Sequence, residues 1–449
     1  MGKLFGTDGI RGEANRYPMN SAIAFSVGQA LTYLLKKPNH NPKIIIGKDT
    51  RISGYMLESS LEAGITSMGG ISYLVGVLPT PGIAFITHSM RAEAGIVVSA
   101  SHNPYQDNGI KIFSGSGYKL SDKEEEAIEK LILDGQLPDL VPHASGMGRA
   151  YRLEDVRGRY IVFLKNAFPR TLSMEGMKIV LDVGNGAAYK VAPEAFFELG
   201  ANVEVIHDEP NGFNINDNCG SQFTTDLRKR VVETGAAIGL AFDGDADRLI
   251  AVDEKGDEIT GDQILIICAK AMKEAGALAN DLLVTTVMSN LGLVMACKRY
   301  GFKHHASKVG DRYVLEDMQR LGSVLGGEDS GHVIFLDHHT TGDGILTAMQ
   351  LISVMVKTGK PLSELAKAMD VFPQKLLNVP VSRKPELSTL PQVMDAIRQA
   401  EEELGQSGRV LVRYSGTQNV CRVMIEGPTA ELTEKYCNQI ADVVRTALA

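Results

Sequence analysis

No run of about 18 apolar residues occurs anywhere in this 449-residue chain, so the sequence predicts no membrane-spanning helix. Positive charge is not in excess. Lys and Arg number 46 against 54 Asp and Glu, and the net charge is −8. That balance argues against a nucleic-acid or anionic-membrane surface, and any anionic ligand must be met by local cationic clusters. Cysteine is scarce: Cys219, Cys268, Cys297, Cys421 and Cys437 make an odd, scattered set without a CxxC pair. Such usage predicts reduced thiols in a cytosolic protein. Met1 to Asp8 contain no apolar signal region, which fits the same cytoplasmic expectation. Neither GxGxxG nor GxxxxGK appears, so a dinucleotide or P-loop nucleotide site is unsupported. GxSxG is absent too, and Ser101 and His102, as chain neighbours, are no evidence for a nucleophile–base pair.

What remains is an ordinary globular composition. It is 44% hydrophobic and 22% charged, enough to bury a large core. At the usual ~100–200 residues per domain, the length predicts three or four domains. Strand-like and helix-like stretches alternate. Lys43–Gly47 reads as a buried strand, followed by the polar turn Lys48–Arg51 and a helix. Lys178–Leu181 leads to Asp182–Gly186 and a helix, and Leu282–Thr286 to Met288–Asn290 and a helix. Three such units predict repeated α/β domains with largely parallel sheets, whose ligands gather at the carboxyl ends of strands. Breaks in periodicity and turn-rich stretches predict domains at 1–150, 151–254, 255–371 and 372–449. Leu78–Gly82 reads as a stiff loop, and 372–386 as a linker into the last, smaller domain.

Three loops stand immediately after predicted strands. Ala94–Val98 feeds Ser99-Ala100-Ser101-His102-Asn103-Pro104, which offers a serine hydroxyl on a stiff turn, a good place for a nucleophile. Asp107-Asn108-Gly109 reads as a turn and Ile110–Phe113 as a strand, a hairpin that would bring Lys111 back toward Ser101 to hold a phosphate or donate a proton. Ala237–Phe242 feeds Asp243-Gly244-Asp245-Ala246-Asp247-Arg248. Three carboxylates at alternate positions repel one another unless a cation neutralises them, and an all-oxygen set favours a hard ion, Mg²⁺ or Ca²⁺. A calcium EF-hand is a poor fit. Its sixth position, where that loop needs glycine, is Arg248, and the flanks read as strands. Arg248 would instead lend positive charge to a phosphate beside the metal. A strand near Val324 feeds Gly326–His332, in which Glu328, Ser330 and His332 form a polar rim suited to sugar hydroxyls.

Two further stretches supply anion-binding groups. Gly6–Gly12 is glycine-rich and carries Arg11, whose guanidinium fork matches two phosphate oxygens. Arg413-Tyr414-Ser415-Gly416-Thr417, between two predicted strands, combines an arginine, hydroxyls and exposed backbone N–H groups into an anion nest. Combined, these parts describe phosphoryl transfer: a serine carrier, a hard-metal loop, an anion nest and a hydroxyl-reading loop.

The motifs GTDGIRG (6–12), SASHNP (99–104), DGDADR (243–248), GEDSGH (327–332) and RYSGT (413–417) resemble, in order, those of the α-D-phosphohexomutase family. NGFNIND-CGS (211–221), VMSNLGL and VGDRYV resemble its bacterial branch acting on glucosamine phosphates rather than the phosphoglucose and phosphomannose branch. The resemblance implies an α/β fold of four domains around a central cleft. Three would be similar, with mixed sheets, and the fourth a smaller C-terminal α+β domain. It implies that Ser101 is the phosphoserine intermediate and that its phosphate, with Asp243, Asp245 and Asp247, holds one Mg²⁺ per chain. Lys111, Arg11 and His332 would serve as phosphate ligands or acid/base partners. Arg248, Glu328 and Ser330 would bind the sugar phosphate, and Arg413, Ser415, Gly416 and Thr417 its non-reacting phosphate group. Glucosamine 6-phosphate and glucosamine 1-phosphate would interconvert through glucosamine 1,6-bisphosphate, supplying UDP-N-acetylglucosamine and the cell wall. The expected partner is thus a small sugar phosphate and the expected assembly a homodimer. The alternatives are a phosphoglucomutase or phosphomannomutase, or a non-enzymatic calcium- or sugar-binding protein. Two positions depart from the family pattern. Gln418 replaces the usual glutamate of the phosphate loop, and Asp329 often is glutamine, an extra carboxylate that would favour an amino sugar.

Overall fold

The computed structural model describes all residues except 1–3, 7, 416–418 and 449. The chain divides into two compact units, residues 1–287 with 303–367, and residues 288–302 with 368–449.

The larger unit holds three sheets. The first contains β1 (Ile10–Glu13), β2 (Lys43–Lys48), β3 (Ile71–Val77), β4 (Ala94–Val98), β5 (Asp107–Ser114) and β6 (Arg149–Arg152), in the order β1-β5-β4-β2-β3-β6. β4, β2, β3 and β6 pair in parallel, whereas β5 pairs antiparallel with β4 on one side and β1 on the other. The helices are α1 (Ser21–Leu35), α2 (Gly54–Ser67), α3 (Thr80–Ser89) and α4 (Asp122–Leu133). The β-branched run of β2 and the wholly buried β4 lie between helical layers, as parallel strands require. α1 crosses α2 closely because Gly64 has no side chain: a Cβ there would stand 2.1 Å from the carbonyl oxygen of Phe25.

The second sheet comprises β7 (Lys178–Asp182), β8 (Asn202–Ile206), β9 (Ile238–Phe242), β10 (Leu249–Asp253) and β11 (Glu258–Ile259), in the order β11-β10-β9-β7-β8. Its helices are α5 (Val156–Ala167), α6 (Ala188–Phe197) and α7 (Thr225–Thr234), with α8 (Gly261–Glu274) following β11. The third sheet orders β12 (Leu282–Thr286), β13 (Lys303–Ser307), β14 (Leu325–Gly327) and β15 (Val333–Phe335) as β13-β12-β14-β15.

The smaller unit contains α9 (Leu291–Tyr300) and an antiparallel sheet of β16 (Gln374–Pro380), β17 (Arg409–Tyr414) and β18 (Val420–Glu426), with β18 central. The larger unit also carries α10 (Asp311–Leu321), α11 (Gly344–Thr358) and α12 (Leu362–Leu365). The smaller has α13 (Pro391–Leu404) and α14 (Ala430–Leu448), which pack on one sheet face around Val423, Ile425, Tyr436, Cys437 and Ile440.

Mixed rather than largely parallel sheets have one repeated cause. In each sheet of the larger unit a strand turns straight back into an antiparallel neighbour: β4 into β5, β9 into β10, β14 into β15. The three loops singled out from the sequence are these three turns, and each lies at the carboxyl end of its first strand.

Several local expectations are corrected. Asp107-Asn108-Gly109 is not a turn but the start of β5, because the distant β1 pairs with it, Arg11 opposite Gly109. The turn is the Ser101–Gln106 stretch instead. Leu78–Gly82 is a loop only to Pro79. Thr80 starts α3, with Pro81 in its first turn, where the missing N–H costs nothing. The stretch 372–386 is not simply a linker, since β16 pairs along its whole length with β18. Arg149–Arg152, at the expected boundary near residue 150, extends the first sheet beside β3.

Candidate active site

Ser101 sits just past β4 in a left-handed backbone conformation, φ +53°. Its hydroxyl donates to Asp243 Oδ2 at 2.5 Å, and its N–H donates to Ser99 Oγ. The loop is gripped from behind by Arg51, which is fully buried. Its guanidinium donates to the carbonyls of Ser101, Asn103 and Pro104 and to Asp49 Oδ2. Asn216, in the loop after β8, donates to the Ser101 and Asn103 carbonyls. His102 Nδ1 lies 3.4 Å from Ser101 Oγ. Burial, then Arg248 and Arg11, push His102 down to about 4, so the ring is neutral near pH 7.

The turn between β9 and β10 brings Asp243, Asp245 and Asp247 together, each buried, with carboxylate oxygens within 4.8 Å of one another. Burial, then repulsion from Asp247 and Asp245, holds Asp243 well above its ordinary range. Burial would raise Asp245 as well, but Lys111 beside it and the Thr80 hydroxyl bring it below the ordinary value. Lys111 Nζ lies 3.0 Å from Asp245, 3.5 Å from Asp8 and 3.6 Å from Asp247. Burial works against its charge, but Asp245, Asp8 and Asp247 outweigh that and keep it protonated. Asp245 Oδ1 and Asp247 Oδ1 are buried without a hydrogen-bond partner. Buried orphan oxygens in an all-oxygen cluster fit a hard divalent cation, so the residues present suit Mg²⁺.

Around this centre stand the remaining predicted residues of the larger unit. The Arg248 N–H donates to Asp243 Oδ1, and its guanidinium stays charged despite burial because Asp247, Asp243 and Glu328 face it. Arg11 pairs with Asp8, and its Nε is a buried donor without a partner. Asp8 and Asp311 share Lys119. In the β14–β15 turn, Glu328 Oε1 accepts from the Gly310 N–H. Ser330 Oγ and both ring nitrogens of the buried His332 have no hydrogen-bond partner, and His332 Nε2 stands 3.6 Å from Asp311. Gly331 (φ +88°) makes the turn possible, since a Cβ there would lie 2.1 Å from the Leu249 carbonyl oxygen. Asp329 turns away toward the start of α8. It accepts from the Asp262 N–H and the Thr260 hydroxyl. The extra carboxylate therefore meets the N-terminus of a helix.

In the smaller unit, Arg413 and Arg422 face each other across β17 and β18. Neither has an ion-pair partner among the described residues, and Arg422 Nε is a buried orphan donor. Burial and Arg422 lower Arg413. Two arginines held side by side are an anion-binding arrangement. Ser415 is buried, and its carbonyl accepts from Lys384. Gly416, Thr417 and Gln418 lie outside the described residues.

Asp49, Arg51, Thr80, Asn216 and Lys119 were not picked out from the sequence. Asp49 and Arg51 had a usable signal: they follow β2 at the carboxyl edge where Ser101 and Asp243 also stand.

Family models match four segments. These are phosphoglucomutase/phosphomannomutase α/β/α domain I over residues 2–138, domain II over 158–256, domain III over 260–372 and the C-terminal domain over 376–443. Phosphoglucosamine mutase of Syntrophobacter fumaroxidans is 75% identical over 448 residues, covering all of both chains. That of Syntrophus aciditrophicus is 62% identical over the full length, and that of Myxococcus xanthus 54%, covering 100% of this chain and 98% of its own. Among solved structures, a phosphoglucomutase/phosphomannomutase family protein from Burkholderia thailandensis superimposes with a TM-score of 0.81 at 23% identity. It covers 99% of this chain and 97% of its own. Aspergillus fumigatus N-acetylphosphoglucosamine mutase, in complex with GlcNAc-6P and magnesium, gives 0.68 at 16% identity, over 99% and 96%. At these identities the structures speak for the fold alone.

Proposed function

The chain belongs to the phosphoglucosamine mutase family of α-D-phosphohexomutases, and from that premise we propose how its residues carry out the reaction. It interconverts glucosamine 6-phosphate and glucosamine 1-phosphate, in the cytoplasm, toward UDP-N-acetylglucosamine. Ser101 is the phosphoryl carrier. The observation that carries the reading is the Ser101 hydroxyl bonded to Asp243 in a carboxylate cluster with orphan oxygens.

Phosphoserine 101 gives its phosphoryl group to the free hydroxyl of the bound sugar phosphate. The Oγ–P bond breaks, the sugar O–P bond forms, and the hydroxyl proton leaves to a base. The glucosamine 1,6-bisphosphate then reorients and returns its other phosphoryl group to Ser101. Asp243, Asp245 and Asp247, with the phosphoserine, would hold Mg²⁺, which supplies neutralisation of the charge developing on the transferred phosphoryl group. Lys111, kept protonated by its three carboxylates, and Arg248 and Arg11 present positive charge to the phosphoryl oxygens. His332 is a proton carrier candidate because both ring nitrogens are free of hydrogen bonds in a buried site. Glu328 and Ser330 hold the sugar hydroxyls, and Arg413, Ser415, Gly416 and Thr417 the phosphate that does not react. The proposed domains are 1–150, 151–254, 255–371 and 372–449, with the first two sheets running a few residues past those bounds, to Arg152 and Ile259.

The deciding measurement is intact mass with phosphopeptide mapping after incubation with glucosamine, glucose and mannose phosphates. Phosphate on Ser101, exchanged fastest with the glucosamine compounds, is the expected result. Ser101→Ala is expected to keep its fold and to lose mutase turnover; near-normal turnover would overturn the mechanism.

A further inference from the structure

We propose that Asp182, His207 and Cys219 form a second metal site, for a borderline divalent cation of the Zn²⁺ class, distinct from the acidic loop. Asp182 is the last residue of β7 and His207 follows β8, so both stand at the carboxyl edge of the second sheet. Cys219 closes the long polar loop that follows His207. One ligand atom from each of the three residues lies within 4.8 Å of the others, and Asp182 and Cys219 are wholly buried. Such a set of one oxygen, one imidazole nitrogen and one thiolate suits Zn²⁺ and leaves a fourth position for water.

The surroundings look like a ligand set whose members are already oriented. His207 Nδ1, a buried atom, stands 3.1 Å from Asp182 Oδ1, so the ring nitrogen and the carboxylate already face one another. Its other nitrogen, Nε2, faces Asp226 at 3.4 Å, the carboxylate–histidine arrangement that fixes a ligating ring. Asp182 is held by the N–H groups of Gly184 and Gly220, one on each oxygen, which leaves Oδ1 a lone pair. Asn185 Nδ2 reaches Cys219 Sγ at 3.9 Å. A surface hollow lined by Asn185, His207, Glu209, Asn211 and Asn214 gives an ion a way in. Binding displaces one proton from the thiol, because the thiolate is the ligand. Burial and the neighbouring Asp182 and Asp217 oppose thiolate formation in the metal-free site, an opposition that a cation relieves.

The site has a structural consequence for the nucleophile. The loop between His207 and Cys219 carries Asn216, whose amide holds the carbonyls of Ser101 and Asn103. A metal joining the two ends of that loop to β7 braces the turn on which Ser101 rides.

Co²⁺ is the probe, added to the full-length protein in excess Mg²⁺ so that the acidic loop holds a hard ion. A near-ultraviolet thiolate-to-Co²⁺ charge-transfer band that saturates at one ion per chain, and is competed away by Zn²⁺, is expected. The all-oxygen acidic loop cannot produce that band. Cys219→Ser should abolish it, and Asp226→Asn should weaken Co²⁺ binding by about 10-fold or more. Absence of the band in a folded protein, or its persistence in Cys219→Ser, overturns the proposal. If the variant fails to fold, the band in the parent and its loss with His207→Gln decide.

Discussion

Arg51 shows how much of this site depends on a side chain that holds the serine loop from behind. Its guanidinium is wholly buried and bonds three carbonyls of the serine loop, those of Ser101, Asn103 and Pro104, together with Asp49. Burial raises Asp49, and Arg51 is the largest force acting against that rise. Arg51→Met therefore removes four anchors and strands a buried carboxylate. Equilibrium unfolding in denaturant should show a loss of about 3–5 kcal/mol. Turnover should fall by about 100-fold if Ser101 shifts by an ångström. A variant with unchanged stability would refute this assignment. No motif marked Arg51, because apart from Asp49 its acceptors are backbone carbonyls 50 or more residues away, which no spacing rule registers. The acidic loop, by contrast, was legible at once: three carboxylates in five positions repel one another, and the structure brings their oxygens within 4.8 Å of one another.

At the scale of elements, the sequence located strands better than it located their partners. Ala94–Val98, Ile238–Phe242 and the glycine-rich turn after Leu325 stand where their apolar runs and following polar residues put them. Asp107–Gly109 misled because a strand nearly a hundred residues upstream, β1, pairs with it, and local turn chemistry cannot anticipate that. The 372–386 stretch misled for the same reason, its partner being β18. Asp329 is the informative case for function. Local reasoning offered it to the sugar, but its carboxylate accepts from the Asp262 N–H at the start of α8. Asp329→Ala should cost about 0.5–2 kcal/mol in thermal or chemical unfolding, as loss of a helix N-terminal acceptor does. The ratio of turnover between glucosamine and glucose phosphates should stay unchanged. A collapse of that ratio would return Asp329 to the sugar.

On the scale of the molecule, the three sheets of the larger unit are tied to one another by buried polar contacts. His339 is one such tie. Its Nε2–H donates to the Pro81 carbonyl near the start of α3, its ring meets Phe163 of α5 edge-on, and its Nδ1 accepts from the Thr340 N–H. Both nitrogens are committed to the neutral form, and burial pushes the ring down to about 4 from 6.5. Between those values the unfolded chain binds a proton that the folded chain refuses. Stability is thus full above pH 6.5 and falls as the pH drops toward 4, by on the order of 3 kcal/mol for this group. Urea unfolding of the parent and His339→Gln across that window should show a flatter pH dependence in the variant. Parallel curves would remove His339 from the account. The motifs told the order of the domains, but not such ties, since a buried histidine among apolar residues looks the same in sequence whether it joins two elements or fills one.

The left-handed backbone of Ser101 carries a consequence for how such a protein evolves. A side chain at φ +53° costs roughly 1–3 kcal/mol that glycine avoids. Ser101→Gly should therefore melt at a higher temperature than the parent while being catalytically dead. Selection for heat resistance alone would discard the proposed phosphoryl carrier among its first improvements. Only continuous demand for turnover keeps a serine in a position that the fold, left to itself, would give away.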